Sequence, residues 1–79
     1  MGPNAEPAAK HDAQMAMADL EVASGRLEPA FARLVEAVRL NAGAERDRAR
    51  TRLLELFETV GNSDPAVLTA RRNLATALF

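Results

Sequence analysis

The chain contains no cysteine, no tryptophan and no tyrosine, and its single histidine is His11. Without cysteine it forms neither a disulfide nor a thiolate metal site, and one histidine does not supply the several ligands of a histidine metal site. Asp12, next to His11, is better placed to cap a helix than to orient a catalytic base. We therefore expect no metal, no cofactor and no enzymatic activity.

Long apolar runs and a strong charge of either sign are also missing. No stretch of about 18 apolar residues occurs and the first residues lack the apolar core of a signal peptide, so we expect no membrane contact and a cytoplasmic location. The formal net charge is -1. Residues 1–40 carry four basic and six acidic side chains, and residues 41–79 carry six basic and five acidic ones. Because neither half is strongly basic, we expect no nucleic-acid binding.

Glycine and proline punctuate the chain at two matching places. Gly61 suits the end of a helix, Asp64 suits an N-cap, and Pro65 suits the first position of the following helix. Gly25 and Pro29 repeat this arrangement 36 residues earlier. The repeated arrangement predicts two helical hairpins, and a fixed spacing of this size is typical of repeat proteins.

The spacing of apolar residues predicts helices and no strand. Residues 1–10 lack a periodic pattern and are assigned to a disordered leader or linker, which leaves residues 11–79 as the folded module. Asp12 is the predicted N-cap of the first helix. The predicted helices span about residues 12–24, 29–40, 44–60 and 65–78. The predicted inward-facing residues are Met15, Ala18, Val22, Leu27, Phe31, Leu34, Val35, Val38, Ala49, Leu53, Leu56, Phe57, Val60, Val67, Ala70, Leu74 and Leu78.

Small residues occur where the two helices of the first hairpin are expected to touch. Ala18, Ala30 and Ala37 occupy positions that are small in a tetratricopeptide repeat, and Leu34 occupies a position that is large and apolar. Each alanine allows two helix axes to approach closely. The first hairpin therefore resembles a tetratricopeptide repeat. This resemblance implies an all-α fold in which two antiparallel helical hairpins form a right-handed array of four helices.

The second hairpin resembles the C-terminal module of the thioredoxin-fold co-chaperones, or chaperedoxins. The motif is Arg-Leu-Leu-Glu-Leu-Phe-Glu at residues 52–58, followed by Gly61, Asp64-Pro65, Arg71-Arg72, Leu74 and Leu78-Phe79. In that family a thioredoxin domain precedes a tetratricopeptide-like region that contacts other proteins. The resemblance covers about residues 12–79, and it implies an upstream thioredoxin domain in the parent chain and a role in binding unfolded clients or the chaperonin.

Two surfaces are candidates for binding a protein partner. The last helix is a natural docking element in the resembling family, and an amphipathic helix can place apolar residues in a partner's groove. Its candidate contact residues are Arg71, Arg72, Leu74, Leu78 and Phe79. Repeat hairpins also line a groove with the first helix of each pair. The groove candidates are Asp12, Met15, Asp19, Val22, Arg48, Thr51, Glu55 and Glu58.

Non-covalent protein binding is thus the predicted function, and one alternative stays open. The chain is alternatively a free-standing helical docking or assembly module that pairs subunits of a larger enzyme, with a homodimer as its simplest form. A monomer that protects an unfolded client favours the co-chaperone, whereas a tight symmetric dimer favours assembly. A helix-turn-helix DNA binder is disfavoured by the near-neutral charge.

Overall fold

The computed structural model describes residues 6–78, with side chains described from Lys10 onward. Within these residues the chain folds into four α-helices and contains no strand. The helices are α1 (Glu6–Ala23), α2 (Leu27–Leu40), α3 (Gly43–Val60) and α4 (Pro65–Leu78). The prediction of an all-α fold built from two helical hairpins is confirmed.

The turn between α3 and α4 is formed as the sequence predicts. Gly61 has a φ angle of 115°, which a residue with a side chain rarely adopts, and its N–H donates to the backbone oxygen of Phe57 at 2.9 Å. Asp64 caps α4, because its Oδ1 accepts a hydrogen bond from the Ala66 N–H at 2.8 Å. Both predicted roles are confirmed, and α4 begins at Pro65.

Two helices begin earlier than predicted. α1 begins at Glu6, so Asp12 lies inside this helix and the prediction that it caps the helix was wrong. The segment ahead of Asp12 is rich in alanine, which favours a helix even without a periodic apolar pattern. α2 begins at Leu27, because the first turn of a helix accepts a proline such as Pro29. The division of the chain after residue 10 stays a prediction.

The second helix, α2, lies at the centre of the fold. It packs against each of the other three helices, whereas α1 and α3 approach each other over a shorter stretch. Phe31 of α2 meets Phe57 of α3 edge to face, with ring centroids 5.3 Å apart and an interplanar angle of 80°. The two hairpins therefore share one core through α2.

Alanines allow the helices of the first hairpin to pack closely. Ala18 and Ala30 are 0% exposed and Ala37 is 6% exposed, so the small positions predicted from the sequence are inside the molecule. The surrounding core is aliphatic apart from the two phenylalanines. Its members are Met15, Ala18, Ala30, Phe31, Leu34, Ala37, Val38, Ala49, Leu53, Leu56, Phe57, Val67, Ala70 and Leu74.

Candidate protein-binding surfaces

A groove lies between α1 and α3, the first helices of the two hairpins, and we call it the α1–α3 groove. Its volume is about 590 Å³. It is lined by Met15, Asp19, Ala44, Asp47, Arg48, Thr51, Arg52 and Glu55. Five of the predicted groove residues are among these, namely Met15, Asp19, Arg48, Thr51 and Glu55. The structure therefore brings most of the predicted set together.

Ion pairs join the two walls of the α1–α3 groove. Arg48 donates to Asp12, and Arg52 Nε donates to Asp19 Oδ1 at 2.9 Å. Arg52 Nη1 also donates to Glu55 Oε1 at 3.2 Å. The hydrogen bond to Asp19 raises the pKa of Arg52 above its ordinary value, so this side chain remains charged. Because the pairs are open to solvent, they stabilise the fold weakly and can be exchanged for pairs with a partner.

Three predicted groove residues are not among the lining residues. Asp12 is exposed and forms an ion pair with Arg48, which lines the groove. Val22 is half-buried against the core, and Glu58 is exposed beyond the residues that line the groove. The structure instead adds Arg52, which connects the two walls. Arg52 follows Arg48 by four residues, and this spacing places two side chains on the same side of a helix. That spacing was the signal in the sequence that Arg52 belongs to the groove.

His11 is buried where α1 meets the start of α3. Its exposed fraction is 4%, and its Nε2 lies 2.8 Å from the backbone oxygen of Glu45. Its Nδ1 is buried and has no hydrogen-bond partner in the described part of the chain. This hydrogen bond links α1 to α3 through two residues that are 34 positions apart in sequence, which gives His11 a structural role. Residues 6–78 contain no group of three or more His, Cys, Asp or Glu arranged to hold a metal ion.

A second groove follows the outside of the first hairpin, and we call it the α1–α2 groove. Its volume is about 620 Å³, and Arg33 lies within it. Arg33 Nε donates to Glu21 at 2.8 Å, and Arg33 Nη1 donates to Gln14 at 2.6 Å. The hydrogen bond from Arg33 lowers the pKa of Glu21 below its ordinary value. The lining residues are Lys10, His11, Gln14, Pro29, Ala32, Arg33, Glu36, Ala37, Leu40 and Asn41.

The apolar residues of the last helix are less available than predicted. Leu74 is 6% exposed and belongs to the core of this chain, so the prediction that it contacts a partner was wrong. Leu78 is half-buried against the same core. Phe79 lies outside the described residues, so its part in docking stays a prediction.

The two arginines of the last helix are exposed. The Arg71 guanidinium lies 5.0 Å from the centroid of the Phe57 ring, and its Nη2 donates to Asn62 Oδ1 at 2.6 Å. A cation over an aromatic face is attracted to the ring, so these contacts hold Arg71 in one place. Arg72 is exposed and has no ion pair within residues 6–78. The predicted role of both arginines in binding stays a prediction.

This chain matches a known protein family, and it has no significant match among solved structures. The pattern that defines the tetratricopeptide repeat matches residues 4–79. Uncharacterized proteins of Mycobacterium bovis and of two strains of Mycobacterium tuberculosis are each 50% identical to this chain over 68 residues. The matched part covers 86% of this chain and 22% of each relative.

The chain therefore spans about one fifth of the length of the curated relatives that it matches. No helix within residues 6–78 combines the length and the apolar character needed to cross a membrane. The family match includes all four helices. The chain belongs to the tetratricopeptide repeat family.

Proposed function

We propose that this module binds an extended segment of a partner protein in the α1–α3 groove, as the interaction module of a thioredoxin-like co-chaperone. Tetratricopeptide arrays bind partners on the concave surfaces that their stacked repeats create. The observation that carries the proposal is that the first helices of both hairpins form one groove, lined by charged side chains from each helix.

The charges of the groove suit a peptide that carries both signs. Asp12 and Asp19 on the α1 side face Arg48 and Arg52 on the α3 side. A bound peptide with basic and acidic residues can form ion pairs with these four side chains in place of the pairs that they form with each other. Because the site is solvated, this exchange costs little free energy. Complementary charges of both signs favour orientation of the bound segment more than high affinity. This combination suits a module that binds many unfolded clients weakly.

The co-chaperone role rests on the resemblance of the second hairpin to the chaperedoxin module. The curated relatives are more than four times as long as the matched segment, because that segment covers 22% of their length. A thioredoxin-like region within the remaining length is part of the proposal. The proposed partners are accordingly unfolded protein clients and the chaperonin, and no catalytic step is assigned to this module.

Filling the groove with a bulky side chain tests the proposal. Thr51 is exposed and lines the α1–α3 groove, so Thr51→Trp obstructs the groove without disturbing the core. Thr76→Trp is the matched control, because Thr76 is an exposed threonine on α4. Light scattering of a thermally unfolding reporter enzyme, such as citrate synthase, measures client protection, and circular dichroism verifies that each variant is folded.

We expect the unmodified chain and Thr76→Trp to suppress aggregation of the reporter, and Thr51→Trp to lose most of this effect. Equal protection by both variants contradicts binding in the groove. No protection by the unmodified chain contradicts the holding of unfolded clients.

A further inference from the structure

The first helices and the turns of the two hairpins correspond at a spacing of 36 residues, although α1 packs closely against α2 whereas α4 packs against α2 rather than against α3. Gly25 and Gly61 follow the first helix of each hairpin and both have positive φ angles. Arg48 of α3 forms an ion pair with Asp12 of α1, which is its own counterpart one repeat earlier. Each position of α3 can therefore be compared with the position 36 residues earlier in α1.

One row of residues on α3 is buried where its counterpart on α1 is not. Ala49, Leu53 and Leu56 follow the i, i+4, i+7 spacing of one helix face and are 0%, 0% and 3% exposed. This row belongs to the core, and α3 packs mainly against α2 of the preceding hairpin. The row is therefore the part of the second hairpin that faces the first one.

The counterpart row on α1 consists of Ala13, Met17 and Leu20, and we call it the outer row. Ala13 is exposed, Met17 is 44% exposed and Leu20 is 61% exposed. The outer row repeats the size pattern of its α3 counterpart, a small residue followed by two large apolar ones. Contiguous exposed apolar residues are a feature of surfaces that another element or protein contacts, and the buried counterpart row on α3 is covered by α2.

The residues of α1 that face the core also differ from their counterparts in α3. Met15 and Val22 of α1 are turned toward the rest of the fold. Their counterparts in α3 are Thr51 and Glu58, which are exposed and polar. Stacked repeats need a polar outer face where an array ends. At these positions the second hairpin has polar side chains, of which Thr51 lines the α1–α3 groove, whereas the first hairpin has the apolar outer row on another side of α1.

We propose that a further helical hairpin of the same repeat type, joined to the amino-terminal side of this module, covers the outer row. It stacks on α1 as the first hairpin stacks on α3, so that its second helix contacts Met17 and Leu20. This surface is distinct from the α1–α3 groove of the proposed function. The proposal therefore extends the array on one side and leaves the groove as it is.

A linked hairpin fits the outer row better than a second copy of the chain does. Stable interfaces between separate proteins use about 20–30 residues on each side. The outer row supplies three residues and the neighbouring groove a few more, such as Leu40, which is 67% exposed. A covalently linked hairpin loses much less freedom on docking, because a short connector already holds it nearby. The longer relatives have the length for such a hairpin.

Thiol labelling of an extended chain tests the proposal. The extended chain carries a copy of residues 6–42 directly ahead of Pro7, which preserves the 36-residue spacing. Because the protein has no cysteine, Leu20→Cys gives a single reactive thiol in the outer row, and in the extended chain the inner copy of Leu20 is replaced. Leu68→Cys on α4 is the matched control, since Leu68 is 52% exposed.

We expect the thiol at position 20 to react about tenfold more slowly in the extended chain than in the 79-residue chain, and the thiol at position 68 to react equally in both. Equal rates at position 20 overturn the proposal. Sedimentation equilibrium adds an independent readout. A dimer of the 79-residue chain that Leu20→Lys disrupts and Leu68→Lys does not also overturns it, because a second copy then covers the outer row. Neither result bears on client protection by the groove.

Discussion

Replacing Phe57 with leucine tests the contact that joins the two hairpins. The ring of Phe57 is 0% exposed and meets the edge of Phe31, with centroids 5.3 Å apart. The Arg71 guanidinium lies over the face of the Phe57 ring, 5.0 Å from the ring centroid. Phe57→Leu keeps an apolar side chain at this position and removes both ring contacts, so most of the buried apolar area is retained.

The loss in the free energy of unfolding that we expect for Phe57→Leu is the sum of three contributions. The aromatic pair contributes about 0.5–1.5 kcal/mol and the cation over the ring about 0.5–1 kcal/mol. The change of side-chain shape in a packed core adds about 1 kcal/mol. We expect a loss of about 2–3.5 kcal/mol in the free energy of unfolding. A domain of this size has about 4–12 kcal/mol in total, so the variant loses a large share of its stability.

Urea denaturation followed by far-ultraviolet circular dichroism measures this loss, because the chain has no tryptophan or tyrosine for fluorescence. Arg71→Ala and the double variant complete a cycle, in which we expect a coupling energy of about 0.5–1 kcal/mol between Phe57 and Arg71. A loss below about 1 kcal/mol for Phe57→Leu refutes the proposed role of the ring contacts. Equal effects of Arg71→Ala with and without the ring refute the cation–ring contribution.

Two further predictions concern acid sensitivity and the last helix. The hydrogen bond from Arg33 lowers the pKa of Glu21 in the folded chain, so its stabilisation is present above the ordinary value of 4.5 and is lost as the pH falls through the lowered pKa. Glu21→Gln is expected to reduce the dependence of urea midpoints on pH below this value, and an unchanged dependence contradicts the assignment. Deleting Leu78-Phe79 is expected to weaken chaperonin association in a pull-down while most helicity, measured by circular dichroism, is retained. Unchanged association contradicts docking through the last helix.

The location of the helices was predictable because their ends depend on neighbours in sequence. Gly61, Asp64 and Pro65 act through their own backbone angles and nearby hydrogen bonds, which no distant residue has to supply. The start of α1 was not predictable from apolar periodicity, because alanine-rich segments form helices without it.

The candidate site was predictable in part for a related reason. The repeat spacing places the first helices of two hairpins side by side, and five of the eight predicted groove residues line the α1–α3 groove. The pairing of Arg52 with Asp19 depends on the rotation of α1 relative to α3, which sequence spacing within one helix does not define. The burial of His11 against Glu45 has the same origin.

The sequence by itself determined that the chain forms helical hairpins and which side of most helices is apolar, because both follow from the residues within each helix. The tertiary structure alone decided which apolar side chains are covered. Leu74 and Leu20 are both leucines in α-helices, yet Leu74 is 6% exposed and Leu20 is 61% exposed. The difference arises because burial depends on which helix packs against each face, and that is a property of the assembled array.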